Sequence, residues 1–340
     1  MKSLKQFKNG PLYLLFSTLL FAPSLVKAHD DGDYKVEKKK NYTKSYPVTG
    51  STKVELENSF GEMKIITWDK SEVKVDVDVT VKANSEERAK DILDNIKFED
   101  GKEGNSVYFR TSMNDKKGNW KNKNKNNNDN DDGDDDDDDD KNDKGKHKNY
   151  NNTSMEINMT VYMPAGNPIE AINSFGSMIV PDLTGEAEIA SKFGSLKCGK
   201  ISNNKELSVE FGKGDIKHVN GGEVTIKFSS ADIDKLSGDV KATFEFSKGS
   251  TINLDNTLKG LKLYNSYSTV ELELAKDMSA EFDIKTSFGD FKNHSGAKIS
   301  EEKDDDDEHG PKFDHKYSGK IGNGDVKIKI KSSFGTTKIS

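Results

Sequence analysis

The stretch that decides the fold reads "NSFGSMIVPDLTGEAEIASKFGSL" and covers residues 173–196. It contains Asn-Ser-Phe-Gly at 173–176 and, eighteen residues later, Ser-Lys-Phe-Gly at 191–194. In both places a glycine follows an aromatic residue, and the same order of small and apolar residues comes next. A motif that recurs at a fixed spacing is typical of a repeat architecture, in which each copy forms one unit of an array.

The motif recurs along the rest of the chain. Five phenylalanines are separated by 18, 18, 17 and 18 residues: Phe175, Phe193, Phe211, Phe228 and Phe246. Four more copies, which bring the total to nine, are "ENSFGEMKI" at 57–65, "YNSYSTVEL" at 264–272, "KTSFGDFK" at 285–292 and "KSSFGTTKI" at 331–339. The alternative fold, a β-sandwich with an accidental phenylalanine spacing, does not account for so many similar motifs.

A period of eighteen residues suits one coil of a β-helix. At about 3.3 Å per residue such a coil holds two or three short strands, and each coil pairs with the next about 4.8 Å away. The sequence therefore predicts an all-β fold, a single-stranded parallel β-helix (β-solenoid) with its aromatic residues in a column. We expect the glycine or serine after each aromatic to permit the turn, since glycine accepts positive φ without steric cost.

The first residues predict export. Residues 1–28 combine three lysines near the start, the apolar run "PLYLLFSTLLFAPSLV" and a small residue before His29, as in a secretory signal peptide. We expect the protein in the periplasm, at the cell surface or outside the cell, with residues 29–49 as a flexible segment. The apolar run is too short to span a membrane and no second long run follows it, so we expect no membrane span.

The next part, 50–113, is predicted to contain β-strands and one helix. The segment "EVKVDVDVTVK" at 72–82 alternates valines with polar residues, as a half-buried strand does. Ser85 precedes two glutamates and an apolar stripe, which predicts a capped helix over 85–97.

Two acidic tracts interrupt the predicted strands. Residues 114–152 are almost wholly Asn, Asp, Lys and Gly, a composition that predicts a disordered insertion. The strand-like segments 106–112 and 154–164 flank this insertion and are candidates for pairing as a hairpin. The repeats then occupy 153–340, with a second acidic loop over 301–316.

Charge and cysteine content limit the classes of partner. The net charge is −7, and removal of the four lysines of the signal peptide makes it −11. This charge argues against binding of nucleic acid or of an anionic membrane through bulk electrostatics. The one cysteine, Cys198, cannot form an internal disulfide, and a small buried hydrophobe is favoured over a reactive or intermolecular thiol.

Several of these segments resemble a known family. The export signal, the NSFG-type turns, "WDKSEVKV" at 68–75, the helix "SEERAKDILDNI" and "VYMPAG" at 161–166 are similar to a bacterial family of adhesin-like domains of unknown function, related to head-GIN-type β-solenoids. The resemblance implies a parallel β-helix, export, and a role in surface adhesion or in the envelope. It supplies no catalytic residues, and the two acidic insertions depart from the family pattern.

Few residues suggest chemistry. Asp215, Asp232, Asp234 and Asp239 lie on or near predicted turns and are candidates for the carboxylate pair of a glycoside hydrolase, although turn formation and solvation explain them more simply. His29 would start the mature chain, where an amino group and an imidazole can chelate copper. The other histidines are scattered, so a flexible polar terminus is favoured. We therefore expect no catalytic site.

The first acidic tract is the candidate for metal binding. Between 129 and 140 ten of twelve residues are Asp, and hard cations prefer carboxylate oxygens. The weak Ca²⁺ candidates are Asp129, Asp131, Asp132 and Asp134. The spacing fits an EF-hand poorly, because Asn128 and Asn130 occupy the first ligand positions and Asp139 replaces the bidentate Glu. Diffuse cation condensation is favoured over a structured site, and no other cofactor is predicted.

The sequence favours an exported, adhesin-like binding or structural protein that is not an enzyme. Its mechanism would be multivalent contact of stacked coils with a surface ligand of the glycan or matrix type. The alternatives are a polysaccharide lyase or hydrolase on the same scaffold and a periplasmic envelope-stress accessory module. Because "FGTTKIS" ends the chain inside a repeat, we also expect homo-oligomerisation through an unpaired C-terminal coil.

Overall fold

The computed structural model describes residues 34–113, 153–302 and 313–340. Over these residues the protein is nearly all β, with 21 strands and one helix. Hydrogen bonds link the strands into one sheet that contains parallel and antiparallel pairs. The predictions of an all-β fold and of one short helix near the N-terminal end are confirmed. The signal peptide predicted over 1–28 and the insertion over 114–152 lie outside the described residues.

The N-terminal part contains six strands and the helix. They are β1 (Val36–Pro47), β2 (Lys53–Ser59), β3 (Met63–Thr67), β4 (Glu72–Ala83), α1 (Glu86–Asn95), β5 (Ile96–Glu103) and β6 (Ser106–Met113). The Ser85 hydroxyl caps α1 by accepting a hydrogen bond from the Arg88 backbone N–H at 3.2 Å. Ala89 and Leu93 form its buried side. The predicted helix over 85–97 is confirmed to within two residues at its C-terminal end.

The remaining strands carry most of the repeats. They are β7 (Thr153–Met163), β8 (Ile169–Ser174), β9 (Met178–Val180), β10 (Leu183–Lys192), β11 (Ser195–Glu210), β12 (Lys213–Lys227), β13 (Ser230–Glu245), β14 (Ser250–Ser266), β15 (Thr269–Leu274), β16 (Ala280–Ser287), β17 (Asp290–Asn293), β18 (Lys298–Glu301), β19 (Asp314–Ile321), β20 (Val326–Ser333) and β21 (Thr336–Ile339).

Each repeat aromatic lies between two strand segments. We call the segments that precede the aromatics the leading row: β2, β8, β10, the second halves of β11 to β14, β20 and β16. The segments that follow form the trailing row: β3, β9, the first halves of β11 to β14, β15, β21 and β17. All neighbours within both rows are parallel, so equivalent residues of successive repeats lie side by side.

The register explains how the repeats build a core. Val209, Ile226 and Phe244 are direct partners in three successive strands of the leading row, and all three are buried. Buried apolar residues from both rows belong to a single cluster. Because one residue in two faces inward along each strand, the alternation in the sequence becomes a continuous apolar layer, whose removal from water stabilises the stack.

Parallel pairing does not extend over all of the described chain. Near the N-terminal end β1 pairs antiparallel with β4, β4 with β7, and β5 with β6. Near the other end β19 pairs antiparallel with β16 and with β18. The sheet is mixed, so a parallel β-helix is not confirmed. These antiparallel strands lie where the parallel rows would otherwise end in unpaired backbone groups.

The C-terminal repeat does not lie at an end of the stack. Strand β20 pairs on one side with β14 and on the other with β16, and β21 lies between β15 and β17. After β15 the chain therefore forms β16 and β17 one strand position further along the rows. The position in between is occupied later in the sequence by β20 and β21. The prediction that the C-terminal coil leaves an unpaired edge for oligomerisation is wrong, because both of its strands have partners on both sides.

Three smaller predictions also need correction. The segments flanking the first insertion do not form a hairpin: β6 pairs with β5 and β2, whereas β7 pairs with β4 and β3. Residues 36–47 are not flexible but form β1, whose register runs along the whole of β4. The second acidic loop is shorter than predicted, because β19 already begins at Asp314. No helix in the described ranges is long and apolar enough to cross a membrane.

Candidate functional site: an exposed aromatic column

The repeat aromatics form one continuous column of stacked rings. Its order is Phe60, Phe175, Phe193, Phe211, Phe228, Phe246, Tyr267, Phe334, Phe288 and Phe313. Neighbouring ring centroids are 4.6 to 5.3 Å apart, and their planes are inclined by 1 to 15°. Nine steps at the strand spacing give a length of roughly 44 Å. The predicted column is confirmed, with Phe313 of the β19 edge as a further ring.

The column lies at the protein surface. The ten side chains are between 39% and 52% exposed. Since each interior ring is covered by a neighbour on both faces, the exposed part is the ring edge. A row of apolar edges of this length is a larger exposed patch than monomeric soluble proteins usually carry, and such patches mark interaction sites.

The aromatic residues themselves make the turn. All nine repeat aromatics have φ between 49 and 66°, in the left-handed region. The expectation that the following glycine or serine adopts positive φ is therefore wrong. A bulky side chain in this region costs of order 1–3 kcal/mol. Stacking offsets part of this cost, because an aromatic pair contributes about 0.5–1.5 kcal/mol beyond its buried area.

The glycine after the aromatic is required for close approach of successive repeats. A Cβ atom at Gly194 would overlap the carbonyl oxygen of Gly176, and one at Gly212 would overlap that of Gly194. A Cβ atom at Gly176 would overlap the carbonyl oxygen of Gly61 in the same way. The backbone therefore passes directly over the backbone of the preceding repeat at this corner, which leaves no room for a side chain.

Three consecutive repeats have serine in place of this glycine. The hydroxyls of Ser229, Ser247 and Ser268 each donate a hydrogen bond to the carbonyl two residues earlier, at 2.6, 2.9 and 2.7 Å. They also accept a hydrogen bond from a backbone N–H of the preceding repeat, as from Gly212 N to Ser229 Oγ at 3.0 Å. The buried serine hydroxyls thus form hydrogen bonds with the backbone N–H and carbonyl groups of the corner.

The asparagine of the NSFG motif anchors the corner from the core. Asn173 Nδ2 donates to the carbonyls of Gly61 and Ser177, at 3.1 and 3.0 Å. Asn58 Nδ2 donates to the carbonyl of Ile157 and to Asn173 Oδ1, at 3.0 and 3.2 Å. Both asparagines are fully buried. The motif therefore combines a buried amide, an exposed aromatic ring on a left-handed backbone, and a glycine at a position without room for a side chain.

Charged residues flank the column on its leading side. The residues before the aromatics in four successive repeats are Lys192, Glu210, Lys227 and Glu245, and they are direct register partners. Lys227 Nζ lies 3.2 Å from Glu245 Oε2. Alternating signs neutralise this rim, so a ligand that reaches the rings does not meet a strong field of one sign in the middle of the column.

A groove lies beside one end of the column, where it is lined by Phe334, Phe288 and Phe313. It has a volume of about 540 Å³, and Gly289 and Gly335 are among the residues that line it. Its lining also includes the charged and polar residues Lys248, Asp290 and His315. The groove lies against the aromatic column and extends the same surface.

The carboxylates proposed for glycoside hydrolysis lie on the trailing row. Asp215 and Asp232 are register partners, and the Lys217 ammonium contacts Asp215 at 3.3 Å and Asp234 at 2.9 Å. Lys213 lies 3.5 Å from Asp232. These carboxylates are thus partners of lysines on the trailing row. Asp239 lies on the leading row, beside Gly260 of the next strand.

The described histidines His218 and His315 have different partners. The His218 side chain lies next to Ser237, with 2.7 Å between Nε2 and Oγ. Burial lowers the pKa of His218, and the positive charges of Lys235 and Lys200 lower it further. His315 Nδ1 lies 2.6 Å from Glu301 Oε1 at the β18–β19 edge. His29, the proposed copper ligand, lies outside the described residues, as do His147 and His309.

Cys198 is a buried free thiol, as expected from the sequence. Burial, with a smaller contribution from the charge of Asp182, raises its pKa to about 12. Within the ranges that the structure describes, no three histidine, cysteine or acidic side chains are grouped as a metal site. The weak Ca²⁺ candidates Asp129, Asp131, Asp132 and Asp134 lie outside those ranges, so they remain a prediction.

Comparison with known proteins gives distant similarities to solved structures. No family model matches the chain, and no curated protein matches it. A solved structure from Bacteroides fragilis named "putative adhesin" is 12% identical, covers 88% of this chain and 97% of its own, and has a TM-score of 0.35. A "putative cell adhesion protein" from Clostridium sporogenes is 12% identical, with coverages of 89% and 99% and a TM-score of 0.24.

A third structure, a "putative lipid binding protein" from Parabacteroides distasonis, is 11% identical, with coverages of 91% and 98% and a TM-score of 0.31. At these TM-scores and identities the similarities do not show a family for this chain. The resemblance to a head-GIN-like family is not confirmed.

Proposed function

We propose that this protein is an exported, non-catalytic binding protein of the β-solenoid type, and that the aromatic column is its contact surface. The observation that carries the proposal is the left-handed backbone of nine half-exposed aromatic residues. A corner that needed only a turn would be more stable with glycine, which adopts positive φ without cost. Strained residues that persist at a surface are typical of functional sites.

The exposed ring edges restrict how a ligand is bound. A sugar that stacks on an aromatic face would have to separate two rings of the column. Ring edges instead offer apolar contact and the positive part of the aromatic quadrupole. We therefore propose an extended polymer of the glycan or matrix type that lies along the column and contacts several repeats at once. Repeated weak contacts of this kind produce avidity without a deep pocket.

The solenoid proposal rests on the parallel register of the two rows. Six consecutive repeats from Phe175 to Tyr267 stack with separations of 4.7 to 4.9 Å, close to the distance between paired strands. Export rests on the N-terminal segment 1–28, which has the composition of a secretory signal.

Binding of the exported, purified protein to an array of glycans and matrix components, with and without Ca²⁺, tests the proposal. The triple variant Phe193→Asn/Phe211→Asn/Phe228→Asn removes the middle of the column, and asparagine tolerates left-handed backbone better than most residues. We expect it to lose at least about tenfold in affinity, because each ring contributes to a multivalent contact.

The matched control is Lys197→Ser/Asp215→Ser/Asp232→Ser, which changes three register partners on the trailing row. It should bind as the wild type does. If the column variant also binds as the wild type does, the column is not the contact surface. Appearance of new sugar ends when the wild type is incubated with polysaccharides would instead favour the alternative function, a polysaccharide lyase or hydrolase.

A further inference from the structure

The outer side of the leading row carries a row of charges that changes sign at its middle. Five glutamates are direct register partners in successive strands: Glu55, Glu170, Glu188, Glu206 and Glu223. The same row continues with three lysines: Lys241, Lys262 and Lys329. Neighbouring positions are about 4.8 Å apart. One half of this surface is therefore acidic and the other half basic.

The basic half extends over the next two strands. Lys331 of β20 is the partner of Lys285 in β16, and Lys285 is the partner of Lys316 in β19. All three are exposed. The row of Lys329 itself continues with the exposed Asp283 of β16. Each of the five strands from β13 to β19 in spatial order thus presents a lysine outward, in β16 beside this aspartate, and each of the five from β2 to β12 presents a glutamate. We call this surface of ten strands the polarised face.

Like charges placed directly opposite each other destabilise a sheet, so this arrangement has a cost in the isolated chain. Neighbouring cations relieve part of it in the acidic half: Lys205 lies 2.7 Å from Glu188, and Arg110 lies 3.2 Å from Glu55. In the basic half Lys262, Lys329 and Lys285 have no ion pair within the described part of the chain. Asp283 is however the register partner of Lys329, and Lys241 lies 3.2 Å from Glu223. The lysines that gain most from anionic partners are therefore Lys262, between Lys241 and Lys329, and Lys285, between Lys331 and Lys316.

We propose that the polarised face binds a second copy of this chain in an antiparallel, two-fold symmetric dimer. A two-fold axis along the strand direction, between β12 and β13, places each glutamate strand of one copy against a lysine strand of the other. In one of these pairs Glu170 lies level with Asp283 of the second copy, two residues from its Lys285. Glu223 then faces Lys241 of the second copy, and Glu206 faces its Lys262. Such an interface is self-complementary, as closed two-fold symmetry requires.

A partner with charges of both signs fits this face better than a polyanion. A polyanion would be attracted by the lysine half but repelled by the five glutamates in the same row. A second copy compensates both halves at once, because the rotation exchanges them. Complementary charges of this kind set register and orientation in addition to affinity.

The size of the face is sufficient for a specific dimer. Ten strands at about 4.8 Å and five residues at about 3.3 Å give a surface of roughly 800 Å². This area per partner equals that of a standard protein interface, about 800 Å². The same rotation brings the two aromatic columns to one edge of the dimer, although the dimer does not depend on the function proposed for the column.

Sedimentation of the exported, purified protein at roughly 50 µM tests the proposal. We expect a dimer at about 20 mM salt that dissociates at about 500 mM, because exposed charges are screened as ionic strength rises. Lys262→Glu/Lys329→Glu should give the face an excess of acidic groups, and Glu188→Lys/Glu206→Lys should give it an excess of basic groups. Each variant alone should dimerise at least about tenfold more weakly.

Mixing the two variants provides the decisive measurement. Each repels itself, but their faces attract each other, so an equimolar mixture should form a heterodimer at low salt. Lys292→Glu/Lys338→Glu, which reverses two register partners on the trailing row, is the control and should dimerise as the wild type does. The neutral variant Lys262→Gln/Lys329→Gln gives a milder version if a reversal impairs folding.

Three outcomes would overturn the proposal. The first is a wild-type monomer at low salt. The second is a dimer that neither Lys262→Glu/Lys329→Glu nor Lys262→Gln/Lys329→Gln weakens. The third is a mixture of the two reversed variants that stays monomeric although both are folded by circular dichroism.

Discussion

The rings of Phe211 and Phe228 lie 4.8 Å apart and are inclined by only 2°, although the two residues belong to separate repeats. Both have φ near +50°, in a region that side chains of this size rarely adopt. The stacking and the backbone strain occur at the same residue. Substitutions at such a residue therefore separate the two contributions.

Replacing Phe211 by alanine should destabilise the protein more than replacing it by glycine. Both changes remove two ring contacts, each worth about 0.5–1.5 kcal/mol. Alanine keeps the cost of positive φ, whereas glycine relieves it, so we expect the glycine variant to be more stable by about 1 kcal/mol. Urea unfolding measures the difference.

Phe313 is the control for this order, because it also stacks on the column but its φ is not positive. There the alanine variant should be the more stable one, since glycine adds backbone freedom to the unfolded chain. If alanine is the better replacement at both positions, the left-handed strain does not contribute as argued.

Gly194→Ala should be strongly destabilising. Its Cβ would meet the carbonyl oxygen of Gly176 in the repeat below, and this backbone cannot move without disturbing the parallel register. Overpacking of this kind costs about 1–3 kcal/mol. Gly296→Ala, where a Cβ meets no atom within 4 Å, should change the free energy of unfolding by less than about 0.5 kcal/mol. Equal effects of the two substitutions would argue against close backbone contact at the corner.

Cys198 should not react with an aromatic disulfide reagent at pH 8 until the protein unfolds. Burial raises its pKa to about 12, so the thiol is protonated at this pH as well as inaccessible. The double variant Lys197→Cys/Cys198→Ala moves the thiol to the exposed neighbouring position and should react at once. Rapid reaction of the wild type under native conditions would show that this part of the stack opens readily.

The sequence predicts the column because its period is carried by residue type, and period is the quantity that parallel register preserves. It does not predict the place of the C-terminal repeat, since "KSSFGTTKI" fits equally well above Tyr267 or beyond Phe288. Only the antiparallel pairing of β19 with the outer edge of β16 leaves the inner edge for β20.

The polarised face also cannot be predicted from the sequence alone. Glu188, Glu206 and Glu223 are 18 and 17 residues apart, and charges at such distances look unrelated until the register is known. The positive φ of the aromatic residues is not predicted from the sequence for a different reason. Glycine follows them in most copies, and glycine is the usual explanation for a left-handed corner.

The pH dependence of stability should contain a contribution from His218. Burial, followed by repulsion from Lys235 and Lys200, lowers its pKa in the folded protein. The unfolded chain takes up the proton at the ordinary value of about 6.5, so it binds more protons than the folded state just below that pH. This contribution to stability is complete above about pH 6.5 and is lost progressively as the pH falls below it.

His218→Gln keeps a hydrogen-bonding group near Ser237 but removes the titration. Urea unfolding between about pH 7 and pH 5.5 should therefore show a smaller loss of stability in this variant than in the wild type, because carboxylates titrate mainly at lower pH. A nuclear magnetic resonance titration of the imidazole gives an independent value of the pKa. If the two proteins lose stability equally over this range, or if the measured pKa lies above 6.5, the folded protein does not disfavour the charged imidazole.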